Sequence, residues 1–150
     1  MGERMAGGCQ CGRVRYVAEV EGDDAYLCHC RMCQRATGGV AAAYKQVLRD
    51  AVAWTCQPNR YASSPIARRG FCSACGTPLT FEYVEQPSDG RPAKIDLTLG
   101  SFDDPSRFRP TSHFGWESHL AGWLDTAALP RLRSDEYQPL VAKWEQARDA

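Results

Sequence analysis

Seven of the eight cysteines fall into three short groups with the spacing of metal ligands. They are Cys9 and Cys11 as C-x-C, Cys28, Cys30 and Cys33 as C-x-C-x-x-C, and Cys72 and Cys75 as C-x-x-C. Thiolates one or two residues apart can contact the same ion around a tight turn, and thiolates are common ligands of structural zinc. Gly12 and Gly76 follow two of the groups, where such a turn needs a permissive backbone. The spacing therefore predicts zinc sites.

The three groups divide into one closed site and one remainder. The C-x-C and C-x-x-C pairs together supply the four thiolates of a tetrahedral structural zinc, and they come from distant parts of the chain. Such a site joins those segments and contributes directly to the free energy of folding. The C-x-C-x-x-C triplet is left with only three thiolates.

Three arrangements remain open for the fourth position at the triplet. Cys56 could complete it, but Val52, Trp54 and Cys56 alternate in "AVAWTCQPN" as on a half-buried strand, and a lone cysteine there is more often a core thiol. His29 could complete it, but it lies between two ligands and is better placed to orient groups or carry protons. We favour an open fourth position, which distinguishes a catalytic zinc from a structural one.

Alternating apolar residues predict a β framework that positions these groups. The inward positions predicted are Val14, Tyr16, Ala18 and Val20 in one strand, Leu79, Phe81 and Tyr83 in another, and Ile95, Leu97 and Leu99 in a third. The stretch "GGVAAAYKQV" predicts a further strand, and "QPSDGRP" predicts a hairpin loop. A helix over about 134–148, capped by Ser134 or Asp135, is expected near the end of the chain.

Length, composition and charge are those of an ordinary globular domain. The chain has 150 residues, 43% of them hydrophobic and 24% charged, which predicts a single domain over 1–150. Lys and Arg number 18, as do Asp and Glu, so charge gives no indication of a nucleic-acid or membrane partner. The start "MGERMAGGCQCG" has no apolar signal-peptide core and no long apolar run follows, so we expect a cytoplasmic location, where disulfides are rare.

Four stretches together resemble one known family. "GGCQCGRVRY", "CHCRMCQRATGG", "RGFCSACGTPLTF" and "SFDDPSRFRPTSHFGWES" occur in the order found in glutathione-dependent formaldehyde-activating enzymes. The resemblance runs over about 7–132 and implies a mainly β fold, a β-tent of antiparallel sheets around a structural zinc. It also implies two zinc ions per chain, a structural one at Cys9, Cys11, Cys72 and Cys75 and a catalytic one at Cys28, Cys30 and Cys33.

The activity that this resemblance implies is the joining of formaldehyde to the thiol of glutathione, a carbon–sulfur lyase reaction. His29 or His113 could supply the proton that the developing alkoxide needs. Glutathione has two carboxylates, for which we expect Arg31 and Arg35 as ligands, since the planar guanidinium binds carboxylates bidentately. Trp116 is expected to line the substrate pocket, and Arg68 and Arg69 are further cations close to the last cysteine pair.

The alternative hypothesis is a zinc-scaffolded module that binds protein or nucleic acid without catalysis. The sequence has no run of Lys or Arg and no basic tail, which argues against a nucleic-acid partner. A zinc-stabilised scaffold with a degenerate site is a further alternative, but it leaves the complete triplet unexplained. We therefore expect a small-molecule thiol, glutathione first, as the partner.

Overall fold

The computed structural model describes residues 2–85 and 87–148, which form two compact units. The first unit ends at Leu120 and the second begins at Ala121. The strands, all in the first unit, are β1 (Glu3–Gly8), β2 (Arg15–Val20), β3 (Asp24–Cys28), β4 (Ala42–Leu48), β5 (Val52–Trp54), β6 (Asn59–Ser64), β7 (Ala67–Phe71), β8 (Pro78–Tyr83), β9 (Lys94–Thr98) and β10 (Arg109–Phe114). Helix α1 (Arg31–Thr37) belongs to the first unit and α2 (Gln138–Arg148) to the second. The prediction of a mainly β fold with a short C-terminal helix is confirmed.

The strands form two sheets. One has three strands in the order β1-β2-β5, and the other has seven in the order β10-β3-β4-β9-β8-β7-β6. Neighbouring strands are antiparallel except β3 and β10, which are parallel. Because parallel strands point the same way, the segments that follow β3 and β10 leave the sheet side by side. This pairing was not predicted, and it builds one wall of the site described below.

The alternation predicted for the first strand is confirmed by β2 and the residue before it. Val14, Tyr16, Ala18 and Val20 are all buried. Tyr16 shares a 2.8 Å hydrogen bond with Ser101 Oγ, which satisfies its hydroxyl inside the core. Gly7 gives the ring of Tyr16 room, since a Cβ there would lie 2.4 Å from it. This packing fixes the end of β1, from which the first cysteine pair follows.

Strands β8 and β9 lie inside the larger sheet and are buried on both faces, which simple alternation did not predict. On β8, Thr80 and Glu82 are buried, whereas Tyr83 is exposed, so the predicted inward position of Tyr83 is wrong. Glu82 remains paired when buried, because Arg60 Nε donates to its Oε1 at 3.0 Å. Phe81 is half-buried and packs against the second group of cysteines.

The predicted hairpin connects β8 to β9, with Gly90 at a positive φ of 81°; Gln86 lies outside the described residues.

Helix α2 begins later than expected. Residues 134–136 form a turn, so the prediction of Ser134 or Asp135 as its cap is wrong. A helix begun there would place Pro139 in its interior, where the ring clashes with the carbonyl four residues earlier, whereas the first turn tolerates it. No helix within the described residues is both long enough and apolar enough to cross a membrane.

Candidate metal centres

The four-thiol cluster, Cys9, Cys11, Cys72 and Cys75, joins the loop after β1 to the loop after β7. All four Sγ atoms lie within 4.8 Å of one another. Cys11 Sγ is 3.6 Å from Cys9 Sγ and 3.8 Å from Cys72 Sγ. A tetrahedral ion with metal–sulfur bonds of about 2.3 Å separates its sulfurs by about 3.8 Å. The cluster therefore fits a metal ion, as its spacing predicts.

Each loop of the four-thiol cluster contains a tight turn that ends at a glycine, three residues after Cys9 in one and four residues after Cys72 in the other. Gly12 N donates to Cys9 O at 3.1 Å, and Gly76 N donates to Cys72 O at 2.7 Å. Both glycines have positive φ, 79° and 77°, a conformation that favours glycine. The sequence-based role of these glycines is confirmed. Cys9 and Cys72 are buried, whereas Cys11 and Cys75 are exposed, so solvent reaches one side of the cluster.

The three-thiol cluster, Cys28, Cys30 and Cys33, lies where β3 runs into α1. Its three Sγ atoms lie within 4.8 Å of one another, and those of Cys28 and Cys30 are 3.5 Å apart. Cys30 also caps α1, since its Sγ accepts a hydrogen bond from Cys33 N at 3.3 Å. Hydrogen bonds from Cys28 and then from the Arg69 guanidinium lower the pKa of Cys33 to about 5. This environment favours the thiolate of Cys33, the form that binds metal, whereas the hydrogen bond to Cys33 raises the pKa of Cys28.

Neither candidate for a fourth ligand joins the three-thiol cluster. Cys56 belongs to neither cluster, and its Sγ lies 3.7 Å from Gln57 O. It is half-buried rather than inside the core, because β5 ends at Trp54 and the alternation does not continue to it. His29 lies outside the group of ligand atoms and shares a hydrogen bond with His113 instead. Among the residues that the structure describes, the cluster therefore has three candidate ligands.

All three histidines of the chain gather beside the three-thiol cluster. His29 is 3% exposed, and its Nε2 lies 2.9 Å from Nδ1 of the exposed His113. Burial, followed by the charges of His113 and His119, lowers the pKa of His29. His119 stacks on Trp116 with ring centroids 3.9 Å apart. The arrangement links a buried imidazole at the cysteines to the surface.

The parallel pairing of β3 and β10 brings these groups together. His113 and Phe114 pair with Leu27 and Cys28, and Phe114 O accepts a hydrogen bond from His29 N at 2.8 Å. The chain then turns at Gly115, whose φ is 65°. A Cβ on Gly115 would lie 2.7 Å from the backbone nitrogen of Cys30, so this close approach requires glycine.

The predicted substrate-binding residues lie on the surface near the three-thiol cluster. Arg31 and Arg35 are exposed on α1, where Arg31 donates to the side chain of Gln34. Trp116 is also exposed and its ring lies edge-on to His29, with centroids 5.4 Å apart. Their role in binding a substrate stays a prediction.

Arg69 has a different place from the one that the sequence suggested. The sequence indicated only a further cation close to the last cysteine pair, whereas Arg69 is buried and its Nη2 donates to Cys33 Sγ at 3.3 Å. Arg68 beside it is exposed. The signal was the alternation along β7, which puts Arg69 on the same face as the buried Ala67.

Comparisons with known proteins indicate the family and the fold of the chain. Residues 4–118 match the model of the family described as glutathione-dependent formaldehyde-activating enzyme. A Schizosaccharomyces pombe protein named as an uncharacterized lyase is 32% identical over 78 residues, 52% of this chain and 57% of that protein. The chain thus matches little more than half of that relative's length. A crystal structure of a Rhodobacter sphaeroides protein is similar in fold, with a TM-score of 0.56, 20% identity, and coverage of 73% of this chain and 99% of that one.

Proposed function

The chain belongs to the glutathione-dependent formaldehyde-activating enzyme family, and on that premise we propose that it is a zinc-dependent carbon–sulfur lyase joining formaldehyde to glutathione. The observation that carries the proposal is the three-thiol cluster. Its three sulfurs converge, while Cys56 and His29 lie outside it. A tetrahedral ion bound there keeps one position for a substrate. Family membership and the relative named as a lyase support an enzyme of the lyase type.

The donor sets suit zinc at both clusters. Zinc accepts four thiolates at a structural site, and three thiolates with one exchangeable position at a catalytic site. In the proposal, the four-thiol cluster holds the structural ion and Cys28, Cys30 and Cys33 hold the catalytic one. The catalytic ion would lower the pKa of a thiol bound at its open position, so that the thiolate is available near neutral pH.

The reaction needs one bond and one proton transfer. A glutathione thiolate attacks the carbonyl carbon of formaldehyde, the carbon–sulfur bond forms, and the carbonyl π electrons move to oxygen. The proton that the thiol lost is returned to that oxygen, which gives S-hydroxymethylglutathione without any oxidant or reductant. We assign the return of the proton to the hydrogen-bonded pair of His29 and His113, since His29 is buried beside the cysteines and His113 reaches the surface.

Exposed residues around the three-thiol cluster suit a thiol with two carboxylates. Arg31 follows Cys30 directly, and Arg35 lies one turn further along α1, so both guanidinium groups are close in sequence to the metal ligands. In the proposal, they bind the carboxylates of glutathione, and Trp116, whose ring contacts that of His29, lines the substrate site. Proximity of the bound thiol to formaldehyde is the main expected contribution to the rate.

Exchange NMR tests this function. Because thiols add to formaldehyde without a catalyst, formation of the adduct is not informative, and the rate of exchange between free formaldehyde and the adduct has to be measured. With ¹³C-formaldehyde and glutathione at equilibrium, we expect the exchange rate between free and adduct carbons to rise in proportion to protein concentration. The Cys56→Ser variant is the control, since it removes the free thiol outside both clusters. An exchange rate unchanged by protein that carries two metal ions would contradict the proposal. Acceleration with another small thiol alone would replace the substrate and keep the reaction.

A further inference from the structure

Arg69 is a buried cation held against the three-thiol cluster. Its side chain is 4% exposed, with Nη2 3.3 Å from Cys33 Sγ and Nη1 2.9 Å from Tyr44 Oη. The guanidinium also lies over the ring of Phe81, 4.9 Å from its centroid. A sulfur, a hydroxyl and an aromatic face therefore fix the planar group in one orientation.

No carboxylate of the described residues forms an ion pair with Arg69. Within 2–85 and 87–148, its Nε is buried without a hydrogen-bond partner. A buried charge is costly unless an opposite charge lies nearby. The hydrogen-bond partners of Arg69 are the hydroxyl of Tyr44 and the sulfur of Cys33, and of these the sulfur is the one that is anionic when it binds metal. The counter-charge of Arg69 is therefore that of the cysteines.

The two clusters differ in the way their negative charge is compensated. Three thiolates around a divalent ion leave a formal charge of minus one, and four leave minus two. The four-thiol cluster has two exposed cysteines, so water screens its charge. In the three-thiol cluster, Cys28 and Cys33 are buried and Cys30 is half-buried. A charge placed there needs a cation inside the protein, and Arg69 supplies it.

We propose that Arg69 is a positioning residue of the three-thiol centre, where it orients Cys33 and neutralises the loaded site. Its Nη2 hydrogen bond holds the Cys33 sulfur toward the other two cysteines, and its positive charge offsets the net negative charge of the three thiolates and the ion. The same charge favours entry of a fourth, anionic sulfur from a thiol substrate. This role rests on the proposed function, because it requires metal at the three-thiol cluster.

Chelator competition on the metal-loaded protein measures this role without any activity assay. In Arg69→Gln we expect the metal ion of the three-thiol cluster to be bound about 10- to 100-fold more weakly, as is typical when a residue that hydrogen-bonds to a metal ligand is lost. The ion of the four-thiol cluster should keep its wild-type affinity, which also reports that the domain is folded. Arg68→Gln is the matched control, since Arg68 is the exposed neighbour on the same strand and should leave both affinities unchanged.

Arg69→Lys provides the second variant. Lysine keeps the charge but has no planar fork to contact both Cys33 and Tyr44, so its loss of affinity should be smaller than that of Arg69→Gln. With cobalt in the site, the sulfur-to-cobalt charge-transfer band should move to lower energy in Arg69→Gln, because removal of a nearby positive charge raises the energy of the sulfur electrons. A purely structural role for Arg69 would not shift this band.

The outcomes separate this role from the proposed function. The role of Arg69 alone would be overturned if both Arg69 variants released the metal ion of the three-thiol cluster at the same chelator concentration as wild type and left the cobalt band unshifted. If Arg69→Gln also loses the metal of the four-thiol cluster, its fold is disturbed, and the metal affinity and cobalt band of Arg69→Lys are then compared with those of wild type by the same criterion. A wild-type protein that binds one metal ion only would overturn the proposed function, and the role of Arg69 with it.

Discussion

Replacement of Cys72 by serine is expected to unfold the first unit of the chain. Cys72 is fully buried, and its sulfur joins the loop after β7 to the loop after β1. A hydroxyl is a far poorer zinc ligand than a thiolate, and structural zinc contributes about 10–16 kcal/mol in small zinc-dependent folds. That is comparable with the whole free energy of unfolding of a typical domain, about 5–15 kcal/mol. Circular dichroism and thermal unfolding of the purified variant measure the loss.

Cys56→Ser is the control for that loss. Its thiol is half-buried, belongs to neither cluster and lies 3.7 Å from Gln57 O, so the change should cost about 1 kcal/mol at most. A Cys72→Ser protein that unfolds at the wild-type temperature would show that the four-thiol cluster does not hold the fold together. Loss of metal from Cys56→Ser would make Cys56 a ligand after all.

Replacement of Cys30 by serine is expected to abolish catalysis while the protein remains folded. The ligands of the three-thiol cluster lie within residues 28–33, so the site ties no distant segments together. Serine is also a favoured N-cap residue, so α1 keeps the cap that the sulfur of Cys30 now provides. We therefore expect metal content to fall from two ions to one and the exchange rate to fall to that of the uncatalysed reaction. Elemental analysis and the NMR assay check both.

Two results would contradict this expectation for Cys30→Ser. Unfolding as complete as that of Cys72→Ser would mean that both clusters are structural, and wild-type activity with one metal ion would place the chemistry elsewhere. Cys30→Ser and Cys72→Ser are a matched pair, since each removes one sulfur and the two sulfurs differ in the segments that they join.

Local sequence patterns were sufficient for the cysteine clusters and for part of the sheet. The turns at Gly12 and Gly76 depend on residues within a few positions, so the spacing of the cysteines and glycines predicts them without knowledge of the fold. The burial of β2 follows from alternation, because one face of that strand packs on the core. Alternation failed on β8, because a strand inside the larger sheet is covered on both faces.

Contacts between distant segments could not be predicted in the same way. The hydrogen bond between His29 and His113 depends on the parallel pairing of β3 with β10, and no short-range signal specifies that partner or register. The inward position of Arg69 was readable from β7, but its contact with Cys33 needs the order of strands in the sheet. A charged residue also argues against burial until its partner is known.

Cobalt substitution followed by titration with glutathione tests the central claim, that Cys28, Cys30 and Cys33 hold a metal ion whose fourth position accepts a substrate thiol. In protein loaded with cobalt at this cluster and zinc at the other, the sulfur-to-cobalt charge-transfer band should gain intensity as glutathione is added, because a fourth sulfur enters. The Cys30→Ser variant should show no such gain. A wild-type spectrum that already has four-sulfur intensity, or one that responds to no thiol at all, would contradict the claim.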